Sequence, residues 1–218
     1  MMRAMEIPQV DTAYLDRTLL DREGRFHVMP AADLRAFELD HLRAWCFLNA
    51  RYNLPTLELV EAVKSIIGSR SAIEIGAGMG DFGRALGIPM TDAYQQTTPE
   101  MQLYYKAFGQ PPIHPPADVE KLDAIEAITK YKPQVVVAAW VTQLFQEGDS
   151  EAKIGSSIYG VDEGWVLDHC ETYIFVGNEG THKDKRILKK PHHTAYPYYV
   201  VSRSADPSKN VMWVWGKR

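Results

Sequence analysis

The apolar residues of the chain follow two periods, and the alternation between these periods predicts an α/β fold. Apolar side chains recur at helical spacing in residues 31–52 and again in residues 55–67. Nearly unbroken apolar runs, typical of strands covered on both faces, follow at residues 134–140 and 172–176. Helices that alternate with buried strands predict a mostly parallel sheet with helices on both faces.

Shorter segments extend this alternation to the end of the chain. The last two predicted strands are joined by a turn around residues 205–208, which favours an antiparallel hairpin because a parallel crossover needs a dozen or more residues. Four prolines in residues 109–116 make any strand there short or irregular. The other predicted elements are helices at 82–86, 99–108, 118–130, 165–169 and 183–190, and strands at 71–75, 88–92, 198–201 and 211–215.

A glycine-rich turn after the first strand is the most informative local pattern. Glu74 lies in the strand, and Gly76, Gly78, Gly80 and Gly83 follow it. Glycine tolerates positive φ angles and lets a ligand approach the backbone. In an open parallel sheet, the crevice outside the carboxyl end of a strand is the usual site for a nucleotide-like ligand. The turn also fits the dinucleotide pattern G-x-G-x-x-G, so an NAD(P)-linked protein is one interpretation, and an ordinary turn without a ligand is another.

The longer pattern, an acid followed after one residue by G-x-G-x-G, resembles the first motif of class I S-adenosylmethionine-dependent methyltransferases. In that family the acid helps to hold the methionyl end of the cofactor, and an acid ending the next strand binds both ribose hydroxyls. A polar-apolar pair lies beside the adenine, and in some members an aromatic-x-x-Pro segment lies near the cofactor's carboxylate. The resemblance implies cofactor-binding roles for Tyr52, Glu74, Gly76, Gly78, Gly80, Asp92, Asp118 and Val119. Helix capping also explains the segment after Tyr52, and Asp92 could be a surface acid.

The resemblance covers roughly residues 52–218 and implies a Rossmann-like, doubly wound, mostly parallel sheet. In the family the last strand is inserted antiparallel beside the fifth, in agreement with the predicted C-terminal hairpin. A dehydrogenase would continue with parallel units and a substrate domain, for which little chain remains. We therefore expect an N-terminal helical extension or cap at residues 1–54 and a cofactor-binding domain at residues 55–218. The expected activity is methyl transfer from S-adenosylmethionine to a small molecule.

Candidate catalytic residues follow the fourth and fifth predicted strands. Trp140 could face the sulfonium or stack on a planar substrate, although core packing explains it equally well. Asn178, Glu179 and His182 are expected at the active-site rim, where one could bind or deprotonate a substrate. A solvated loop is the alternative. The fourth strand lacks the Pro-Pro-aromatic motif that follows it in methyltransferases acting on DNA amino groups, which disfavours such a substrate.

Residues 148–164 contain four glycines and many polar side chains between two predicted strands. This composition predicts a mobile loop above the substrate side of the crevice, which becomes ordered when ligands bind. Tyr159 and Asp162 are its expected ligand contacts.

Composition indicates the cellular location of the protein and disfavours some kinds of site. The chain has 218 residues, of which 45% are hydrophobic, and two cysteines, and it has no apolar run of the roughly 20 residues that cross a bilayer. Without a disulfide framework or a secretory signal, the expected location is the cytoplasm, with no membrane partner. The histidines and cysteines lack metal-site spacing, so no metal is expected, and no G-x-S-x-G elbow indicates a hydrolase.

A basic C-terminal segment keeps a second class of function open. Residues 181–218 contain nine Lys and Arg against two Asp, in a chain of net charge −4. The predicted helix over Lys183–Lys190 could attract phosphate or nucleic acid, although a solvated helix face is the simpler explanation. The alternatives to a small-molecule methyltransferase are a nucleic-acid-binding or nucleic-acid-modifying protein, an NAD(P)-binding oxidoreductase, and a cofactor-binding fold without catalysis.

Overall fold

The computed structural model describes residues 9–107, 109–146 and 156–218, with a seven-stranded sheet at its centre. The helices are α1 (Ala13–Leu19), α2 (Ala31–Arg35), α3 (Leu39–Leu48), α4 (Leu57–Ile67), α5 (Asp81–Leu86), α6 (Pro99–Ala107), α7 (Ala124–Tyr131), α8 (Glu163–Asp168) and α9 (Glu179–His182). Within the described ranges, no helix is long and apolar enough to cross a membrane.

The strands are β1 (Asn53–Leu54), β2 (Ala72–Ile75), β3 (Met90–Asp92), β4 (Glu120–Lys121), β5 (Val135–Ala139), β6 (Gln143–Leu144), β7 (Ser156–Ser157), β8 (Thr172–Asn178), β9 (His193–Ala195), β10 (Val201–Ser202) and β11 (Asn210–Gly216). Short 3-10 turns cover Gln95–Thr97, Arg186–Lys189 and Pro207–Lys209.

The main sheet has the strand order β4-β3-β2-β5-β8-β11-β9. All neighbouring pairs from β4 to β8 are parallel. Strand β11 is antiparallel to β8 on one side and to β9 on the other, so it alone runs against the other strands. The predicted α/β class with a mostly parallel sheet is confirmed.

Helices cover both faces of the sheet, and the burial of residues 135–138 in β5 on both faces explains the continuously apolar sequence of this strand. Val135 and Val137 pack on one face with residues of α4 and α5. Val136 and Ala138 pack on the other face with residues of α7 and α8. Because successive side chains of a strand point to opposite faces, burial on both sides requires an apolar residue at every position.

Helices α1–α3 form a third apolar cluster with the two-stranded ribbon of β1 and β10. Trp45, Leu54 and Val201 belong to this cluster, so residues from both ends of the chain share one core. The single helix predicted over residues 31–52 is wrong, because the chain becomes extended at Glu38 and divides α2 from α3.

The strand that pairs with β11 also differs from the predicted one. The ladder partner is β9, whereas Val201 belongs to β10 and lies opposite Leu54. Pro197 lacks the N–H group that a ladder needs, and the carbonyl of Tyr199 accepts a hydrogen bond from the Thr56 hydroxyl at 2.8 Å. The predicted hairpin is therefore wrong in its pairing, although β11 does run antiparallel beside β8.

The predicted basic helix over residues 183–190 is wrong as well. Helix α9 ends at His182, the chain turns, and only a 3-10 turn follows at Arg186–Lys189. The side chain of Arg186 donates to the carbonyl of Leu144. The basic residues of this segment therefore do not share one exposed helix face.

Lys185 is buried and belongs to the core. Its Nζ donates to the carbonyl of Val141 at 2.9 Å and to the Glu163 carboxylate at 2.6 Å. The Tyr173 hydroxyl donates to the other Glu163 oxygen at 2.8 Å. Burial lowers the pKa of Lys185. The ion pair joins α8 to the segment after α9, and the hydrogen bond to Val141 ties that segment to the residues after β5. The burial of Lys185 also takes one positive charge away from any nucleic-acid surface.

Because Lys185 is buried against Glu163, removal of its charge should cause a large loss of stability that is specific to this lysine. Lys185→Met leaves the Glu163 carboxylate buried without its cation and should lower the free energy of unfolding by about 3–5 kcal/mol, measured by urea denaturation. Lys183→Met, at an exposed position two residues away, is the control and should change stability by less than about 0.5 kcal/mol. Glu163→Gln in the Lys185→Met background should recover part of the loss. Equal effects of the two lysine substitutions would contradict a structural role for Lys185.

Candidate functional site

The glycine loop between β2 and α5 lies at the carboxyl edge of the sheet. Gly76, Gly78 and Gly80 have φ angles of 59°, 55° and 72°, in the left-handed region that glycine adopts without strain. A Cβ atom at Gly76 would also lie 2.5 Å from Cγ1 of Val141. The loop therefore requires glycine for its backbone shape and, at Gly76, for its packing.

Asp92 at the end of β3 holds this loop directly. Its Oδ2 accepts a hydrogen bond from the Gly78 amide at 2.9 Å, and its Oδ1 accepts one from the Tyr94 amide at 2.7 Å. Burial raises the pKa of Asp92, and the residue remains partly exposed. An ionised carboxylate accepts about four hydrogen bonds, so Asp92 keeps acceptor capacity for a ligand beside the loop.

Glu74 in β2 holds the end of the glycine loop from inside the protein. Its side chain is buried, and its Oε2 accepts a hydrogen bond from the Gly83 amide at 2.7 Å. Burial raises the pKa of Glu74 to about 8. The carboxyl group thus fixes the first turn of α5 from inside the protein, and it acts on the loop as a positioning residue. The predicted role of Glu74 in holding the methionyl end of a cofactor stays a prediction.

A segment formed by residues 94–107 and 109–119, here called the cover segment, lies over the glycine loop. Cδ1 of Ile113 lies 3.2 Å from the position that a Cβ of Gly78 would take, so this side chain packs on the loop backbone. The Ile113 amide donates to Oε1 of Gln96 at 2.9 Å, and the Tyr94 hydroxyl donates to the Val119 carbonyl at 2.6 Å. The sequence predicted the irregularity of the proline-rich stretch, but not its position above the loop.

Asp118 and Val119 lie on the outer side of the loop. Asp118 is exposed and binds Arg84 of α5 through both carboxylate oxygens, at 2.9 and 3.0 Å. Val119 is buried, and its Cγ2 lies 2.8 Å from the position of a Cβ at Gly80. The pair therefore holds the cover segment against α5, and its predicted contact with an adenine stays a prediction.

Trp140 follows β5 with a strained backbone. Its φ angle is 60°, which is uncommon for a residue other than glycine. Its amide donates to the Val176 carbonyl at 2.9 Å, and its ring lies 6.1 Å from the Tyr52 ring and 5.1 Å from that of His182. The indole Nε1 is buried without a hydrogen-bond partner. Strained residues of this kind concentrate at functional sites, so Trp140 remains a candidate.

His182 is buried rather than exposed at the rim. Its ring packs edge-on against those of Phe175 and Trp140, and only 1% of the residue is exposed. Burial and the nearby charge of Lys185 lower the pKa of His182 to about 3. The prediction that His182 projects from the rim is wrong, because its ring completes the packing behind Trp140. A histidine with so low a pKa is a weak base at neutral pH.

Asn178 is also a structural residue, which contradicts its predicted rim position. Its Nδ2 donates to Oδ1 of Asn210 and to the carbonyl of Asp206, both at 3.0 Å, and its Oδ1 caps α9. Glu179 is half-buried and accepts a hydrogen bond from the Tyr196 hydroxyl at 3.1 Å. Of the three predicted rim residues, Glu179 alone has a side chain with substantial exposure.

Tyr52 lies in a polar cluster that the sequence did not predict. The guanidinium of Arg203 stacks on its ring at 3.4 Å, and Gln110 donates to its hydroxyl at 3.0 Å. Burial raises the pKa of Tyr52. The charge of Arg203 and the hydrogen bonds with Tyr105 and Gln110 together lower this pKa by more than burial raises it, so the net shift is downward. No local sequence motif marks Arg203 or Gln110, because both lie at least 58 positions from Tyr52 along the chain and only the fold brings them together.

Several polar atoms near this edge of the sheet are buried without a partner. Both amide atoms of Asn53 are unpaired, and so are Nε of Arg203 and Oε1 of Gln95. Native proteins pair most buried polar groups, so these exceptions are candidate positions for hydrogen bonds to water or to a ligand.

The predicted mobile loop over residues 148–164 is described only in part. Residues 148–155 of it lie outside the described residues. Tyr159 donates to the carboxylate of Glu100 on α6 at 3.1 Å, and Asp162 caps α8 by accepting from the Trp165 amide at 3.1 Å. Tyr159 therefore contacts the cover segment, and Asp162 has a local structural role.

In the described part of the chain, no group of three or more His, Cys, Asp or Glu could hold a metal ion.

Comparisons with known proteins add little to this site. No protein-family model and no curated protein matches the chain. Among solved structures, it is similar to the crystal structure of Thermoplasma acidophilum 1320, with 16% identity over 86% of this chain and 94% of that chain, at a TM-score of 0.34. A likeness this weak carries no inference about fold or function.

The buried Glu74 predicts a specific pH dependence of stability. Its pKa is about 8 in the folded protein against an ordinary value of 4.5, so its contribution is fully present below pH 4.5 and is lost as the pH rises through 8. Glu74→Gln keeps an acceptor for Gly83 but cannot ionise. Relative to the parent, this variant should gain on the order of 1–4 kcal/mol between about pH 5 and about pH 9. Urea denaturation across this range measures the difference, with the exposed Glu61→Gln as control. A difference that does not change with pH would show that Glu74 is ionised throughout.

Proposed function

We propose that the protein is an S-adenosylmethionine-dependent methyltransferase that acts on a small molecule. The observation that carries this proposal is the position of β11, antiparallel between β8 and β9 at the end of an otherwise parallel sheet. Methyltransferases of class I insert their last strand in this way, whereas dinucleotide dehydrogenases continue with parallel units. Fold-level analogy alone does not define a function, so the site has to supply the rest.

The chemistry of the glycine loop fits the adenosine part of this cofactor. The backbone at Gly78 approaches the crevice without a side chain, and Asp92 contributes a carboxylate that can accept hydrogen bonds from a ribose diol. Ile113 packs on Gly78 in the structure, so the cover segment has to move before a nucleoside can lie against the loop. Movement of a loop over the site would also exclude water during the reaction.

The bound cofactor would supply an activated methyl group, and the task of the protein is to align the acceptor with it. Trp140 presents an indole beside the crevice, with its Nε1 unpaired. The low pKa of His182 makes it a weak base, and the side-chain amide of Asn178 is not basic, so neither can take a proton from the acceptor at neutral pH. An acceptor that is nucleophilic without prior deprotonation would need no base, and one that has to lose a proton would depend on the half-buried carboxylate of Glu179.

The alternatives differ in what they require. A nucleic-acid partner needs a basic surface, and the burial of Lys185 and the Lys190–Asp168 ion pair at 3.4 Å reduce the charge that the C-terminal segment offers. Binding of RNA or DNA that weakens steeply with salt would support that alternative. The ligands below separate an NAD(P)-binding protein from the proposal. A cofactor-binding fold without catalysis would also bind S-adenosylhomocysteine, and it would differ from the proposed enzyme in transferring no methyl group from S-adenosylmethionine.

Calorimetry with S-adenosylhomocysteine and NAD(P)H tests the proposal. S-adenosylhomocysteine should bind, and Asp92→Ala should weaken its binding by about 1.5–3 kcal/mol, the range for hydrogen bonds to a charged acceptor. Asp168→Ala, an exposed acid far from the loop, is the control and should bind as the parent does. Binding of NAD(P)H with no affinity for S-adenosylhomocysteine would refute the proposal in favour of an oxidoreductase.

A second variant tests the loop itself. Gly78→Val places a branched side chain where the ligand would lie, and it should abolish binding of S-adenosylhomocysteine in a protein that still folds, as judged by circular dichroism. Gly87→Val is a matched control, because Gly87 also has a positive φ, 75°, and open space around it at the other end of α5. The control should lose stability but retain affinity. Unchanged affinity in folded Gly78→Val would exclude the glycine loop as the binding site.

A further inference from the structure

Arg203 is a buried cation without a buried anion. Only 7% of the residue is exposed, and its guanidinium lies between the rings of Tyr52 and Phe47, at 3.4 and 4.4 Å from their centroids. No carboxylate of the described residues forms an ion pair with it. Burying a charge without a partner is costly, so proteins rarely retain such a residue without a use for it.

A second buried arginine nearby shows how this chain usually balances such a charge. Arg51 is equally buried, and its Nε donates to the carboxylate of Asp81 at 2.7 Å. No carboxylate plays this part for Arg203, because its Nη1 donates to the amide Oε1 of Gln110 at 3.2 Å, its other side-chain hydrogen bond is with Tyr52, and its Nε has no partner. A guanidinium presents paired N–H groups that match the two oxygens of a carboxylate.

The neutral acceptor comes from the cover segment. Gln110 follows α6, and its amide bridges the site, because Oε1 accepts from Arg203 while Nε2 donates to the hydroxyl of Tyr52. One amide oxygen at a guanidinium occupies the place of one carboxylate oxygen. When the cover segment is closed, Gln110 thus accepts one hydrogen bond from Arg203. A carboxylate could accept two hydrogen bonds from the guanidinium and would also balance its charge.

The site lies beside the crevice at the carboxyl edge of the sheet. Asn53 pairs with Ser202 in the ribbon of β1 and β10, and the Arg203 amide donates to the carbonyl of Tyr52 at 3.2 Å. The ring of Tyr52 in turn lies 6.1 Å from that of Trp140, which follows β5. A ligand at Arg203 would therefore have aromatic rings on its flanks.

We propose that Arg203 and the hydroxyl of Tyr52 bind the carboxylate of a ligand that enters the covered crevice, and that Gln110 occupies this position when the cover segment is closed. The carboxylate belongs either to the methyl acceptor, which would then be a carboxylic acid, or to the amino-acid end of the cofactor. The assignment to an acceptor or a cofactor rests on the proposed function, whereas the binding of a carboxylate does not.

The test uses a simple aromatic acid as probe. Titration of 4-fluorobenzoate into the full chain, followed by fluorine NMR, should show saturable binding, and the neutral 4-fluorobenzamide should bind at least tenfold more weakly. Arg203→Met should weaken 4-fluorobenzoate binding at least tenfold, while the exposed Arg17→Met should leave it unchanged. Gln110→Ala removes the competing amide and should tighten binding several-fold.

Gln110→Glu keeps the test decisive if Arg203→Met does not fold. A glutamate at position 110 would supply the missing carboxylate from the chain itself, so it should raise the melting temperature and abolish 4-fluorobenzoate binding. Benzoate binding that is unaffected by Arg203→Met or by Gln110→Glu, or equal binding of the acid and the amide, would overturn the proposal.

Two further ligands identify the source of the carboxylate. If it belongs to the cofactor, Arg203→Met should weaken S-adenosylhomocysteine at least tenfold and leave 5′-methylthioadenosine, which lacks the amino-acid end, unchanged. If it belongs to the acceptor, neither nucleoside should be affected. Should the parent bind neither nucleoside, the proposed function fails, and the benzoate measurement still decides whether Arg203 is a carboxylate site.

Discussion

Two carboxyl groups from neighbouring strands accept hydrogen bonds from backbone amides of the glycine loop and of the helix turn after it. These hydrogen bonds determine the shape of the loop, and the organisation of the site depends on them. Asp92 accepts from the Gly78 amide on the crevice side, and Glu74 accepts from the Gly83 amide inside the protein. Together they fix the loop where β2 turns into α5. Their pKa values are raised by the same burial, so the loop is held by acids in an environment that resists their charge.

The sheet brings the remaining site residues to this loop from distant parts of the chain. Because the carboxyl ends of parallel strands meet at one edge, residues after β2, β3 and β5 become neighbours there. The ribbon of β1 and β10 adds Tyr52 and Arg203 from the two ends of the chain. The antiparallel strand β11 extends the sheet beside β8, which carries Phe175, and the ring of Phe175 packs edge-on against that of His182.

The sequence predicted what depends on local pattern and missed what depends on tertiary contacts. The apolar run of β5 and the glycines after β2 are local signals, and the structure has the strand and the turn where they indicate. The basic helix failed, because counting Lys185 as a surface charge ignored the buried carboxylate of Glu163, which lies 22 residues earlier. His182 looked like an active-site base for a similar reason, since burial between two rings leaves no trace in the sequence around it.

The contacts of the cover segment have a consequence for any affinity that is measured. Ile113 on the loop and Gln110 on Arg203 stabilise a closed conformation that a ligand has to displace. If the open conformation is present in about one molecule in a hundred, the observed dissociation constant is about a hundredfold weaker than that of the open site. Weak binding in a ligand screen would then reflect the small population of the open conformation. Substitutions that destabilise the closed conformation would raise the observed affinity and allow ligands to be detected that the parent protein binds too weakly.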